Sequence, residues 1–152
     1  MASDRRGGEE SAGTRTAILD ATAQIMRDEG YAAVSSRKVA ERAGLKSQLV
    51  HYHFGTMDDL FLALYQRYEE QYFDRHAQAL ASRNPLRALW ELSADAAGAE
   101  LSLEFIALAN HRKAIRKEIA RSTERYRSLQ VAVVSRLSED LGITQDRRWK
   151  PA

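Results

Sequence analysis

The residues most able to do chemistry lie between positions 30 and 56. That segment holds four bases, Arg37, Lys38, Arg42 and Lys46, against a single acid, Glu41. Lys46, Ser47, Gln48, His51 and His53 then gather around Tyr52. Lysine and arginine suit phosphate oxygens, an amide such as Gln48 can pair with an adenine edge, and tyrosine or histidine can reach phosphates or thymine methyls. The pattern is that of a nucleic-acid reader. Nothing in the chain resembles catalytic machinery: there is no nucleophile–base pair and no glycine-rich phosphate loop, and the absence of cysteine removes thiolates, disulfides and cysteine-ligated zinc. His51 and His53, at i and i+2, do not share a helix face, and no carboxylate or cysteine completes a metal set with them. The chain is therefore read as no enzyme, with no catalytic residue, metal or cofactor.

Positioning these residues falls to short helices. The sequence predicts a helix over 36–43 with Ser35 as its N-cap, a turn Ala43-Gly44-Leu45-Lys46, and a second helix over 47–53 with Val50 and Phe54 on its apolar side. Helices this short are marginal alone, since ~12–15 residues are needed in water. They must pack on a preceding helix, predicted over 14–29 with Thr14 as cap, Ile18, Thr22, Ile25 and Met26 inward, and Gly30 as the stop. Two short helices joined by a glycine-containing turn form a helix-turn-helix, whose second helix enters the major groove while the first crosses the backbone. Arg37 and Lys38 would then sit beside the phosphates.

The rest of the chain also reads as helical. Thr56 is placed to cap a long helix over 57–81, with Asp58 and Asp59 in its first turn. In that helix Leu60, Phe61, Leu64, Tyr65, Tyr68 and Tyr72 form a stripe, and Arg67, Glu69, Glu70 and Arg75 are assigned to the other side. Asn84-Pro85 opens a helix through 97, with Leu86, Leu89, Trp90 and Ser93 on one face, and Gly98 separates it from a helix over 99–109. That helix is apolar all round (Leu101, Leu103, Phe105, Ile106, Leu108), so it is expected to be central. A last helix over 112–141 turns Ile115, Ile119, Ser122, Tyr126, Leu129, Val133 and Leu137 inward. The fold class is all-α, with domains at 14–56 and 57–152 preceded by a flexible arm, 1–13.

The net charge of +2 conceals a segregation: 8 bases to 7 acids over 1–56, 4 to 9 over 57–110, and 11 to 5 over 111–152. The basic run from Arg112 to Arg127 could be a second nucleic-acid surface, although a solvated helix face partly paired by Glu118 and Glu124 is the commoner form. No stretch approaches the ~20 apolar residues of a membrane span, and the first 14 residues lack the apolar core of a secretory signal. The expected location is the cytoplasm, at the nucleoid.

The stretch from Gly30-Tyr31 through Ser-Ser-Arg-Lys-Val-Ala-Glu-Arg-Ala-Gly44, Leu45-Lys-Ser-Gln-Leu-Val-His-Tyr-His-Phe54 and Asp58-Asp59-Leu60 resembles the DNA-binding domain of the tetracycline-repressor (TetR) family. The Arg-x-Val-Ala-x-x-Ala-Gly core and the His-Tyr-His-Phe end are the most telling pieces, and the likeness extends back over Ile18-Leu19-Asp20-Ala21. The resemblance implies a three-helix head on a ligand-sensing and dimerising helical bundle, a homodimer that represses at a palindromic operator in double-stranded DNA, and a small, partly apolar effector whose binding moves the heads through the helix over 57–81. Gln48 stands where family members often carry a small residue, and Met57 where they often carry a phosphate-touching lysine. The family usually continues with further helices beyond a position like Gly142, so a chain short at its C-terminus is expected.

The aromatics of the second half could line an effector cavity or fill the core, and their helical spacing favours the core. The candidate effector residues are Tyr68, Tyr72, Trp90 and Phe105 as walls, with Glu104, Asn110 and His111 as polar anchors. Two other classes stay open. A non-DNA-binding or heterodimerising interaction protein would expose Val133, Val134 and Leu137. A helical ligand carrier or small enzyme would be indifferent to charge reversal at Lys46.

Overall fold

A computed structural model describes residues 2–140 and 142. Among the described residues there are seven α-helices, one 3-10 turn and no strand. The chain divides into two compact units, the first ending at Lys117 and the second beginning at Glu118.

Helix α1, Ala2–Glu29, starts well before the expected position 14. Thr14 caps nothing; its hydroxyl donates back to the Glu10 carbonyl at 2.9 Å, inside the helix. The polar, small residues of this segment read as a loose arm, yet no proline interrupts the run. The inward stripe follows the sequence: Ile18, Thr22, Ile25 and Met26 are fully buried, and the Thr22 hydroxyl is satisfied by the Ile18 carbonyl at 2.8 Å. Gly30, at φ 83, ends the helix and leads into the 3-10 turn Tyr31–Ala33.

Helices α2, Ser36–Ala43, and α3, Ser47–Phe54, pack on each other, and α1 receives α2. Helix α4, Met57–Leu80, opens with a complete capping box: the Asp59 N–H donates to Thr56 Oγ1 (3.1 Å) and the Thr56 N–H to Asp59 Oδ2 (3.0 Å). Its stripe of Leu60, Phe61, Leu64 and Tyr65 is buried as expected. Glu69, assigned to the outer side, is instead buried, as is His76. The reason is spacing: 61, 65, 69, 72 and 76 recur at helical intervals, and the stripe simply becomes more polar as it leaves the head.

Helix α5, Pro85–Ser93, is shorter than expected, and α6, Ala96–Ala109, takes Gly98 into its first turn. A Cβ there would stand 3.2 Å from Asp95 Oδ2 and 3.3 Å from Arg75 Nη2, so the glycine serves close approach rather than a break. In α5 the half-buried positions are Pro85, Ala88, Leu89 and Leu92, whereas Leu86 and Trp90 are exposed. Helix α6 is not central. Leu101, Phe105, Leu108 and Ala109 bury one face, while Leu103 and Ile106 are exposed. Helix α7, Lys113–Asp140, keeps Ile115 buried and Ile119, Ser122, Tyr126, Leu129 and Val133 half-buried at the expected spacing. The Leu137 side chain, Leu141 and the segment 143–152 lie outside the described residues. No helix among the described residues is long and apolar enough to cross a membrane.

Candidate nucleic-acid interface

The two short helices are aimed by their ends. Ser35 caps α2 by accepting the Lys38 N–H at 3.3 Å. At its other end Gly44 takes φ 67, so that its own N–H reaches the Glu41 carbonyl (3.2 Å) and the Leu45 N–H the Ala40 carbonyl (2.8 Å). This paired-bond helix stop requires a left-handed residue, which glycine supplies without a Cβ penalty. It turns the chain sharply into α3, whose N-cap Lys46 makes no side-chain cap bond. The Leu49 N–H donates to the Lys46 carbonyl at 2.9 Å, which leaves the Ser47 and Gln48 amides to suit an external acceptor such as phosphate.

Helix α3 divides cleanly. Ser47, Gln48, His51 and Tyr52 are exposed and fall within an arc of about 140°. On the opposite arc Val50 and Phe54 are buried and Leu49 and His53 half-buried. Tyr52 is 80% exposed, an unusual setting for a large ring, and its only ring contact among the described residues is edge-on to His53 at 5.2 Å. His53 therefore lies on the flank of the presented face. His51 Nδ1 sits 3.4 Å from the Gly55 carbonyl, which orients the imidazole at the C-terminal end of α3.

The bases separate into two pairs. Lys38 pairs with Glu29, and Arg42 reaches Asp28 (3.1 Å) and Glu29 (3.4 Å), both at the end of α1. The Arg42 hydrogen bond, followed by that from Gln24, holds the Asp28 carboxyl below the usual aspartate range. Arg37 and Lys46 are exposed and make no ion pair among the described residues. Linear reading missed one further cation: Arg15 of α1 lies over the Phe54 ring at 5.0 Å, beside the end of α3. Only the fold brings these distant positions together.

The expected effector residues are not one constellation. Tyr68, Tyr72 and Phe105 do gather: the Tyr68 ring is 6.2 Å from Tyr72 and 5.7 Å from Phe105, and Phe105 meets Tyr65 edge-on at 5.0 Å. Trp90 stands apart, 75% exposed on α5. Glu104 and His111 turn to the head instead, where Glu104 Oε2 accepts the Tyr31 N–H at 2.7 Å and the His111 ring stacks on that of Tyr31 at 6.0 Å. Asn110 is exposed, its carbonyl accepting from Arg116 at 3.0 Å. The basic run of α7 is largely committed within the chain: Arg112 to Asp58, Arg116 to the α6 carbonyls, Arg121 to Glu118 and Arg127 to Glu124. A polar groove of about 310 Å³ lies between α1 and α4, lined by Asp20, Gln24, Arg27, Arg67, Tyr68 and Gln71 among others.

Comparison with known proteins agrees with this geometry. The sequence model described as bacterial regulatory proteins, tetR family, matches residues 18–64, from the buried face of α1 to the first turns of α4. The HTH-type transcriptional activator FasR of Mycolicibacterium smegmatis is 32% identical over 81 residues, 51% of this chain and 37% of that protein. The HTH-type transcriptional regulator CymR of Pseudomonas putida is 28% identical over 130 residues, 81% of this chain and 64% of that protein. The chain thus spans less than two thirds of the length of either relative. Among solved structures, the multidrug binding protein EbrR complexed with malachite green superposes with a TM-score of 0.63 at 30% identity, covering 78% of this chain and 73% of that one. Head, caps, recognition face and relatives agree, and the chain belongs to the tetR family of bacterial regulatory proteins.

Proposed function

We propose that this protein is a DNA-binding transcriptional regulator, not an enzyme, that represses in response to a small molecule and reads its operator through α3. One observation carries the reading: four polar or aromatic side chains, Ser47, Gln48, His51 and Tyr52, are presented on one arc of a helix whose opposite arc is anchored by Val50 and Phe54. Gln48 is assigned to a base edge, Tyr52 and His51 to phosphate or a thymine methyl, and Arg37, Lys46 and the α3 amides to the backbone. Lys38 and His53 contact DNA from the margins, Lys38 after exchanging Glu29 for phosphate, an exchange made easy because an exposed ion pair contributes only about 0.2–1 kcal/mol.

In this reading residues 14–56 are the reading head and 57–152 the regulatory part, with 1–13 ahead of them, and the protein works in the cytoplasm as a homodimer on a palindrome. The effector site is the cluster of Tyr68, Tyr72 and Phe105. That EbrR is described in complex with malachite green, a ligand built of aromatic rings, supports an aromatic effector here. FasR is named an activator, so direction of control must be measured rather than inherited. The test is selection of a duplex from a randomised pool, followed by a reporter under that sequence with and without the protein. A selected palindrome whose reporter is silenced supports the reading, and no enrichment overturns it.

A second reading has its own observation. Val131 and Val134 on α7 are each 60% exposed, as an interaction protein would require, although Val133 is half-buried. A wild-type chain that enriches no sequence yet associates through these valines would favour it.

A further inference from the structure

Helix α6 places consecutive residues on two different bodies of the fold. Phe105 is buried in the aromatic cluster of α4. Glu104, about 100° further round the helix, points at the head and accepts the Tyr31 N–H at 2.7 Å. That N–H opens the 3-10 turn and has no acceptor within it, like every donor at a helix start. The approach depends on Gly30, whose φ of 83 and ψ of 161 no residue with a Cβ adopts without strain. A Cβ there would stand 3.5 Å from Glu104 Oε2, an ordinary van der Waals distance, so the backbone conformation and not space is what asks for glycine. Two neighbours reinforce the grip: His111 stacks on the Tyr31 ring, and Arg112 pairs with Asp58 while lying over Phe61 at 5.3 Å. The end of α6 and the turn that follows it therefore hold the chain both where α1 ends and where α4 begins.

We infer that Glu104 is a positioning residue: its bond to the Tyr31 N–H fixes the reading head on α6, which Phe105 anchors in the aromatic cluster. The inference rests on the DNA-binding reading above. A carboxylate bonded to a backbone N–H is short and stiff. A head held in one orientation loses less freedom on docking than one that reorients.

The full chain, labelled with ¹⁵N, supplies one readout, and affinity for a duplex selected by the wild type supplies the other. In Glu104→Ala the Tyr31 amide resonance moves upfield, its exchange quickens, relaxation shows the head turning independently of α6, and affinity falls roughly tenfold. Glu104→Gln, whose amide oxygen still accepts, stays within about threefold of wild type. The inference is overturned if Glu104→Ala leaves the amide and head motion unchanged, or if Gln fails as fully as Ala. Should the wild type select no sequence, the DNA reading fails by itself, and the amide and relaxation results still decide the clamp.

Discussion

Tyr52 and Val50 sit two positions apart on one helix with opposite fates. Val50 is 2% exposed and Tyr52 80%, so one holds α3 in place and the other has no ring contact among the described residues but that with His53. Truncating Tyr52 should therefore leave stability alone and strike binding. Tyr52→Ala is expected to keep its urea midpoint and to lose affinity for the selected duplex by about 1–3 kcal/mol, read by fluorescence anisotropy; a matched loss of stability would show the ring to be structural. Asp28 behaves in the opposite sense. Its bond from Arg42 holds its pKa below the unfolded value, so its contribution is present at neutral pH and is lost as pH falls through the folded pKa. Asp28→Asn should flatten the acid limb of the stability profile and release Arg42 towards phosphate, raising DNA affinity at neutral pH. At this scale residue type was legible and partnership was not. Lys38 and Arg42 read as two bases of a basic segment, and only the fold shows Glu29 beside Lys38 and both Asp28 and Glu29 beside Arg42.

Elements were legible where they end in strong stops. Ser35, Gly44 and the Thr56–Asp59 box all stand where their types predict, because each satisfies specific orphan amides or a left-handed turn. Glycine without such a role misled: Gly98 read as a break but lies in α6, where Arg75 and Asp95 approach it closely. Spacing misled where polarity overrode it, as at Glu69, which the stripe geometry buries despite its charge. The element that matters most for reading is α3, eight residues held by few anchors. Phe54 is 6% exposed and lies under the Arg15 guanidinium, so Phe54→Ala should cost about 3–5 kcal/mol in denaturant unfolding. Circular dichroism should show helix loss well short of global unfolding if α3 alone detaches, and an unchanged midpoint would mean that α3 is held from elsewhere.

At the scale of the molecule, the total charge of +2 says little about DNA affinity; what counts is which bases are uncommitted. Lys38, Arg42, Arg112 and Arg127 each have a carboxylate partner, whereas Arg37 on α2 and Lys46 at the start of α3 are exposed without one among the described residues. Each phosphate neutralised adds ~0.9 to the slope of log affinity against log salt, so this head should show a shallow dependence for its content of arginine and lysine. Lys46→Ala should lower that slope by about 0.9 for each head bound, and Arg127→Ala should leave it unchanged. Because a dimer engages two half-sites about 34–36 Å apart, the same substitution removes twice that amount if two heads bind one palindrome. The salt titration thus counts heads as well as contacts. A doubled effect, with a symmetric footprint, makes the protein a dimeric reader; a single effect on an asymmetric site makes it a one-headed one. A slope indifferent to Lys46 would place the DNA on another surface altogether.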